Sequence, residues 1–483
     1  MAQQLYFTRD TKMFLVFNGY AWHIPILDGF SFSQATNSSE IVLSEMESAS
    51  GSRRGRRAFN DSLAPAEWSF STYVRPFTTA STSDGSAFNA DDGTSNQKIH
   101  AVEEALWALM AGADGYDRAN FDFENAATVI GQADLVEGDT YEIVTAGSTN
   151  WTSIGASAGT VGTVFTRNST TATGSGGEVK RKVSVPTTTG NTINFKASNR
   201  GQLTEFKLYF IIGDANKRTM KMDGCTVNEA SIDFDVDGIA TINWSGFANN
   251  LTDFTANTVH QDAAPSSGTG AVVGDIWIDT NTTTPDNMLY ECTAAGANHT
   301  VPITEGYDDT ESFIRNKIST VRVIADTAAD GQSGLEGNSG ASYSTTAGYE
   351  LTLTGGNITI SNNMTYLTPE ELGTVNVPFA NVTGTRSVNG SFTCYLTDDT
   401  STTDASVDFY DDLRGISSVV TNSFGIYLHI GGTSGRFLRV NLPQCHLEIP
   451  THAVDDLISV ETNFMALPST IDQADEITLV YDA

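Results

Sequence analysis

Two clusters in this sequence have the residue types and spacing for chemistry. The first is "DFDVDG", where Asp233, Asp235 and Asp237 alternate as at the start of a calcium-binding loop. Such a loop closes with a bidentate Glu at its twelfth position, and that position here is Trp244. The spacing instead predicts a strand with Ile232, Phe234 and Val236 toward a core and the three Asp toward water. That makes one strand face strongly anionic. The second cluster is "GSRRGRR", which places Arg53, Arg54, Arg56 and Arg57 within five positions of a glycine-containing loop. Guanidinium groups so concentrated suit bidentate pairing with carboxylates on another surface.

Other reactive groupings are missing. His446 and His452 come nearest to a metal pair, but no Cys or further His stands at zinc spacing. No HExxH, P-loop or GxGxxG-before-helix pattern occurs, and "TGSGG" at Thr173 reads as a linker run. The residues therefore predict no enzyme, no catalytic residue, no metal site and no cofactor. Cys225, Cys292, Cys394 and Cys445 are far apart with no CxxC, and are expected to be small buried hydrophobes. Sequons such as those at Asn168 and Asn363 are by-products of Asn/Ser/Thr-rich turns.

The elements that must carry these residues are strands. Of 483 residues only 17% are charged, and Gly, Ser, Thr, Asn and Asp are abundant, as in short strands joined by turns. Lys plus Arg number 26 against 58 Asp plus Glu, a net charge of −32. A chain so acidic repels nucleic acid unless its basic residues are segregated. The first apolar run, Met13 to Phe17, is too short for a signal-peptide core, and no run approaches the ~18 apolar residues of a membrane span. The expectation is a protein made in the cytosol, without membrane insertion.

The chain also repeats itself. "FKLYFIIGDANKRTMKMDGCTV" at Phe206 parallels "FGIYLHIGGTSGRFLRVNLPQCHL" at Phe424. "EWSFSTYVRP" at Glu67 parallels "NGSFTCYLTD" at Asn389, and "LDGFSFSQATNSSEI" at Leu27 parallels "LTGGNITISNNMTYL" at Leu353. Two short helix patterns, at Ala101 and Ala405, correspond more loosely. Four segments recurring in one order imply two copies of a β domain. The first copy is expected at 1–129 and 181–255, with a small β module inserted at 130–180. A stretch at 256–309 with two short strands links it to the second copy, 310–483.

At "FNDSLAPAEWSFSTY", "TYLTP" and the stretch ending "SFTCYL" the sequence resembles a known family. It is similar to the major tail tube proteins of siphoviruses, in the large duplicated form of T-five-like phages. The resemblance covers both halves and neither insertion. It implies a mainly β fold of two tandem tail-tube-type β-sandwich domains, each with a flanking short helix. Strands would close into a barrel between subunits. It also implies homotrimeric, pseudo-hexameric rings that stack into a virion tail tube. A tape measure protein would lie inside, tail tip and terminator or connector proteins at the ends, and DNA would pass without specific binding. Asp233, Asp235 and Asp237 then become candidates for the lumen lining, and Arg53, Arg54, Arg56 and Arg57 for a subunit or ring interface. The alternatives are a tail connector or baseplate protein with the tube fold, a secreted β-rich adhesin, and a carbohydrate-active β enzyme. The last would need paired carboxylates in an aromatic cleft.

Overall fold

The computed structural model describes residues 6–17, 20–41, 57–79, 98–113, 115–117, 122–135, 140–182, 184–186, 191–195, 201–213, 218–235, 238–254, 258–261, 276–279, 289–291, 304–305, 313–327, 337–344, 346–369, 375–398, 406–415, 423–431, 436–454, 457–471 and 474–482. The fold is mainly β with two short α-helices among these residues. In the first half the elements used below are β1 (Thr11–Phe17), β2 (Ser31–Ser33), β3 (Thr36–Ile41), β4 (Arg57–Leu63), β5 (Ala66–Tyr73) and α1 (Glu104–Met110). An inserted module follows with β6 (Asp122–Gly131), β7 (Thr140–Thr145), β8 (Val164–Thr166) and β9 (Glu178–Lys182). The half continues through β10 (Asn191–Asn194), β11 (Phe206–Ile212), β12 (Arg218–Asp235) and β13 (Thr241–Ala248). The second half has β14 (Thr320–Asp326), β15 (Leu353–Ser361), β16 (Thr365–Leu367), β17 (Ala380–Val382), β18 (Ser387–Tyr395) and α2 (Ser406–Gly415). It ends with β19 (Phe424–Ile430), β20 (Phe437–Leu447), β21 (Thr451–Val454), β22 (Ile458–Ala466) and β23 (Thr478–Asp482).

One antiparallel wall runs through both halves in the order β2–β5–β13–β12–β15–β18–β22–β21. Strict alternation builds it. In β5, Ala66, Trp68, Phe70 and Thr72 are buried while the residues between them point to the other side. β13 and β22 repeat the pattern. Behind the wall lies a second layer: β1, β11 and the first part of β12 in one half, β14, β19 and β20 in the other. Met13, Leu15, Leu208 and Phe210 meet Trp68, Phe70 and Ile232 in one core that continues into Val321, Ile426, Phe392 and Phe464.

Among the described residues the wall strands of the two halves can be set side by side. β2–β5–β13–β12 is matched by β15–β18–β22–β20/β21, and the registers agree. Ser31 opposes Ser69 as Asn357 opposes Ser391, and Tyr73 opposes Thr241 as Tyr395 opposes Ser459. Phe206 faces Cys225 and Phe424 faces Cys445, each with a register shift just beyond. Cys225, Cys394 and Cys445 are buried free thiols, and burial pushes all three above the ordinary thiol pKa. Cys292 lies outside the described residues.

The inserted module has its own five-stranded sheet, β8–β7–β9–β6 plus Gly115–Asp117, so its strands begin upstream of residue 130. Its core of Tyr141, Ile143, Trp151, Ile154, Phe165 and Val179 is separate from the main one. In the linking stretch, Ile276–Asp279 pairs with Thr258–Gln261 on one side and Leu289–Glu291 on the other.

The halves are also joined behind the wall. β23, the last strand, pairs with both β20 and β10. Its Tyr481 reaches α1, a helix buried all round and hence apolar on every face except at Glu104. Trp107 Nε1 donates to the Tyr481 hydroxyl at 2.7 Å, and that hydroxyl donates to Glu103 Oε1 at 2.8 Å. The Trp107 ring meets Trp244 edge-on with centroids 4.5 Å apart. Glu103 is fully buried, and burial pushes its carboxyl up to about 7, against the opposing pull of Tyr481, backbone amides and Arg75. A folded-state pKa above the unfolded value makes the neutral form the favoured one. That stability is fully present below about pH 4.5 and is lost as pH rises through about 7. Glu103→Gln is therefore expected to raise stability at pH 8, on the order of 2–3 kcal/mol, with the gain vanishing near pH 4.5. Urea midpoints of both proteins across that range check it.

Candidate functional site

The side of the wall turned away from the core is a mostly polar surface that runs across both halves. Its positions align in rows across the strands. One row is Ser69, Ser245, Glu229, Ser361 and Ser387. The next is Ser71, Asn243, Ser231, Thr359, Asn389 and Met465. A third is Tyr73, Thr241, Asp233, Asn357, Ser391 and Asn463, and a fourth Asp235, Gly355, Thr393, Glu461 and Thr451. With Glu67 on β5, the carboxylates come from three strands and both halves, and no Lys or Arg occupies any of these positions.

Hydrogen bonds tie the rows into a fixed polar carpet. Ser71 Oγ donates to Asn243 Oδ1 at 2.6 Å, and Asn243 Nδ2 donates to Asp233 Oδ2 at 2.5 Å. Ser231 Oγ reaches the other Asp233 oxygen at 3.4 Å, and Thr359 Oγ1 donates to Ser231 Oγ at 3.2 Å across the junction of the halves. The Ser391 amide donates to Asn357 Oδ1 at 3.2 Å. On the second-half side the surface dips into a hollow of about 490 Å³, whose lining includes Asn357, Thr359, Ser391, Asn463, His446 and Glu448.

Glycine lets the wall pack from behind. A Cβ at Gly356 would lie 2.7 Å from the Phe234 ring, and one at Gly390 would lie 2.5 Å from that of Phe464. Aromatic rings on neighbouring strands fill the space these glycines leave.

Short neutral polar groups with scattered carboxylates can do one thing well. At the positions named they offer a polyanion no Lys or Arg for its phosphates. Of the sequence-derived residues, Asp233 and Asp235 stand on this face, the first half-buried and the second exposed, while Ile232 and Phe234 are buried on the other side. Asp237 lies outside the described residues. Glu67, Glu229 and Glu461 were not anticipated. Glu67 and Glu461 are each the single carboxylate of their strand and Glu229 lies four residues before Asp233, so only the period-2 alternation around each marks its side.

The arginines belong to a different feature. β3 and β4 form a hairpin arm, with Arg57 exposed at its outer end opposite Ile41. Arg53, Arg54 and Arg56 lie outside the described residues. The base of the arm is fixed to both halves. The Leu63 amide donates to Asn376 O at 2.8 Å, and Gln34 Nε2 donates to Ala64 O at 3.0 Å and Asn249 O at 3.2 Å. In the second half the β16–β17 hairpin stands at the matching point between β15 and β18. Around the two hairpins Phe59 is 49% exposed, Val375 50% and Phe379 59%.

No family model matches the chain. It is 26% identical over 458 residues to the tail tube protein pb6 of Escherichia phage T5, an alignment covering 94% of this chain and 69% of that protein. No helix among the described residues is long and apolar enough to cross a membrane. The mainly β fold with its two short helices agrees with this similarity, and nearly the whole chain is similar to that tail tube protein.

Proposed function

We propose that this protein is the structural subunit of a siphophage tail tube, with the carpeted face of its wall turned to the lumen. The observation that carries the reading is that wall. Eight strands run unbroken through both halves and present a surface with carboxylates and no Lys or Arg at the positions named. In this reading the halves are two copies of one domain, three chains make a ring of six such domains, and the sheet closes across subunits. Closure removes the edges that would otherwise invite unwanted pairing. DNA then slides past a surface that repels its phosphates within roughly 10 Å at 0.1 M salt. A tape measure protein fills the lumen before ejection, and tip and terminator proteins close the ends. The role is structural and needs no catalysis or cofactor.

The arm completes the reading. Its basic tip docks on the acidic surface of the adjacent subunit or ring, where the exposed apolar residues at its base are also covered. Charge-assisted pairs there set register. Electron microscopy of the purified protein, concentrated and across a salt series with tail tips as initiators, tests the assembly. Hollow stacked rings of threefold symmetry are expected, and failure to extend even from tips would overturn the reading. Replacing Arg53, Arg54, Arg56 and Arg57 with Glu is expected to raise the critical concentration for tube growth at least about tenfold, equivalent to about 1.4 kcal/mol. Unchanged growth and salt resistance would remove the arm from the contact.

A further inference from the structure

The junction between the two halves is a template for the junction between two chains. Inside the chain, β12 of the first half pairs with β15 of the second, with Ser231 opposite Thr359, Ile232 opposite Ile358 and Asp233 opposite Asn357. The counterpart of β15 in the first half is β2, because Ser31 meets Ser69 as Asn357 meets Ser391. The counterpart of the far part of β12 is β21, because Thr451 meets Glu461 as Ser231 meets Asn243, and Ala453 meets Ser459 as Asp233 meets Thr241. Where β12 runs unbroken for 18 residues, its counterpart is interrupted between Leu447 and Thr451, where Pro450 offers no amide hydrogen.

β2 and β21 are the two ends of the wall. Each pairs on one side only among the described residues, β2 with β5 and β21 with β22. Both edges are short, as unprotected edges are in an isolated chain. Beside β21 an apolar group is exposed: Ile449 by 52%, Leu457 by 64% and Ile458 by 43%.

We infer that β21 of one chain pairs antiparallel with β2 of a second copy, in the register of the internal junction: Thr451 opposite Ser33, His452 opposite Phe32 and Ala453 opposite Ser31. The partner is another copy of this chain, and the inference rests on the ring reading above. A heterologous contact of this kind closes into a ring when the rotation closes. The register keeps the open-face positions of β2 on the same side as those of β21, so the polar face continues without a step.

Directly opposed residues have Cβ atoms about 4.5–5.5 Å apart, near the span of a disulfide, whereas diagonal neighbours are about 7–8 Å apart. The test uses the full chain with Cys292→Ser, assembled and then oxidised. Ser33→Cys with Thr451→Cys, and separately Ser31→Cys with Ala453→Cys, are each expected to give covalent oligomers on non-reducing gels. The diagonal pair Ser31→Cys with Thr451→Cys should give at least about fivefold less. Rings or tubes seen by microscopy without a crosslink in either opposed pair, or with the diagonal pair linking best, would overturn the register and leave the ring reading intact. Absence of any ring would overturn both.

Discussion

Arg386→Ala is expected to destabilise the subunit by about 3–5 kcal/mol, the usual effect of removing one partner from a buried ion pair. Arg386 Nε bonds to Glu476 Oε1, with the two side chains only 9% and 7% exposed. Arg386 Nη2 donates to Ala474 O at 3.2 Å, and the guanidinium lies 5.1 Å from the centre of the Phe195 ring. Three regions converge there: the entry to wall strand β18, the segment leading into β23, and the end of β10 in the first half. Truncating the arginine strands a buried carboxylate and removes a cation–π contact worth about 0.5–2 kcal/mol. The melting temperature should fall on the order of 10 °C. The double change Arg386→Met with Glu476→Leu supplies the control. It leaves no orphaned charge and is expected to recover most of the loss. If Arg386→Ala and the double variant melt together near the native temperature, the pair does not hold the halves.

Local structure was legible in the sequence where local forces decide it. The alternation in "AEWSFSTY" is that of a strand, and β5 indeed turns Trp68 and Phe70 inward. The helix patterns at Ala101 and Ala405 became α1 and α2, and the Phe–Cys repeats became matching cross-strand pairs. Long-range partnerships were not legible. Period-2 alternation assigns a residue to a face but does not say which strand edge lies beside it. Nothing near Glu229 or Ser361 announces that they oppose each other. Nothing in the sequence around Glu103 marks it as buried. Its burial follows from Tyr481, which arrives from the far end of the chain. Arg386 and Glu476 likewise sit in polar loops whose burial depends on β10 and β23 meeting. The arm was harder still, since "TNSSEI" carries no apolar alternation and β3 is exposed throughout its described residues.

The largest functional effect is expected from reversing charge on the open face. Consider Asp233→Lys, Asp235→Lys and Glu461→Lys together. Asp235 and Glu461 are exposed, and Asp233 loses its bonds to Asn243 and Ser231, at a cost of about 1–2 kcal/mol. The subunit should fold and assemble. Three lysines per chain and three chains per ring would line the lumen repeatedly along the tube, facing DNA that carries one negative charge per ~1.7 Å. Each lysine that meets a phosphate releases a counterion, so retention grows with the number engaged and weakens steeply with salt. Ejection triggered in vitro should slow at least about a hundredfold at low salt, and recover as salt rises. The neutral set Asp233→Asn, Asp235→Asn and Glu461→Gln separates two mechanisms. If repulsion speeds the passage of DNA, these variants fall between native and lysine phages. If the face needs only to lack cations, they eject as the native phage does. Lysine phages that form normal tubes and eject at the native rate at low salt would mean the carpeted wall does not face the DNA.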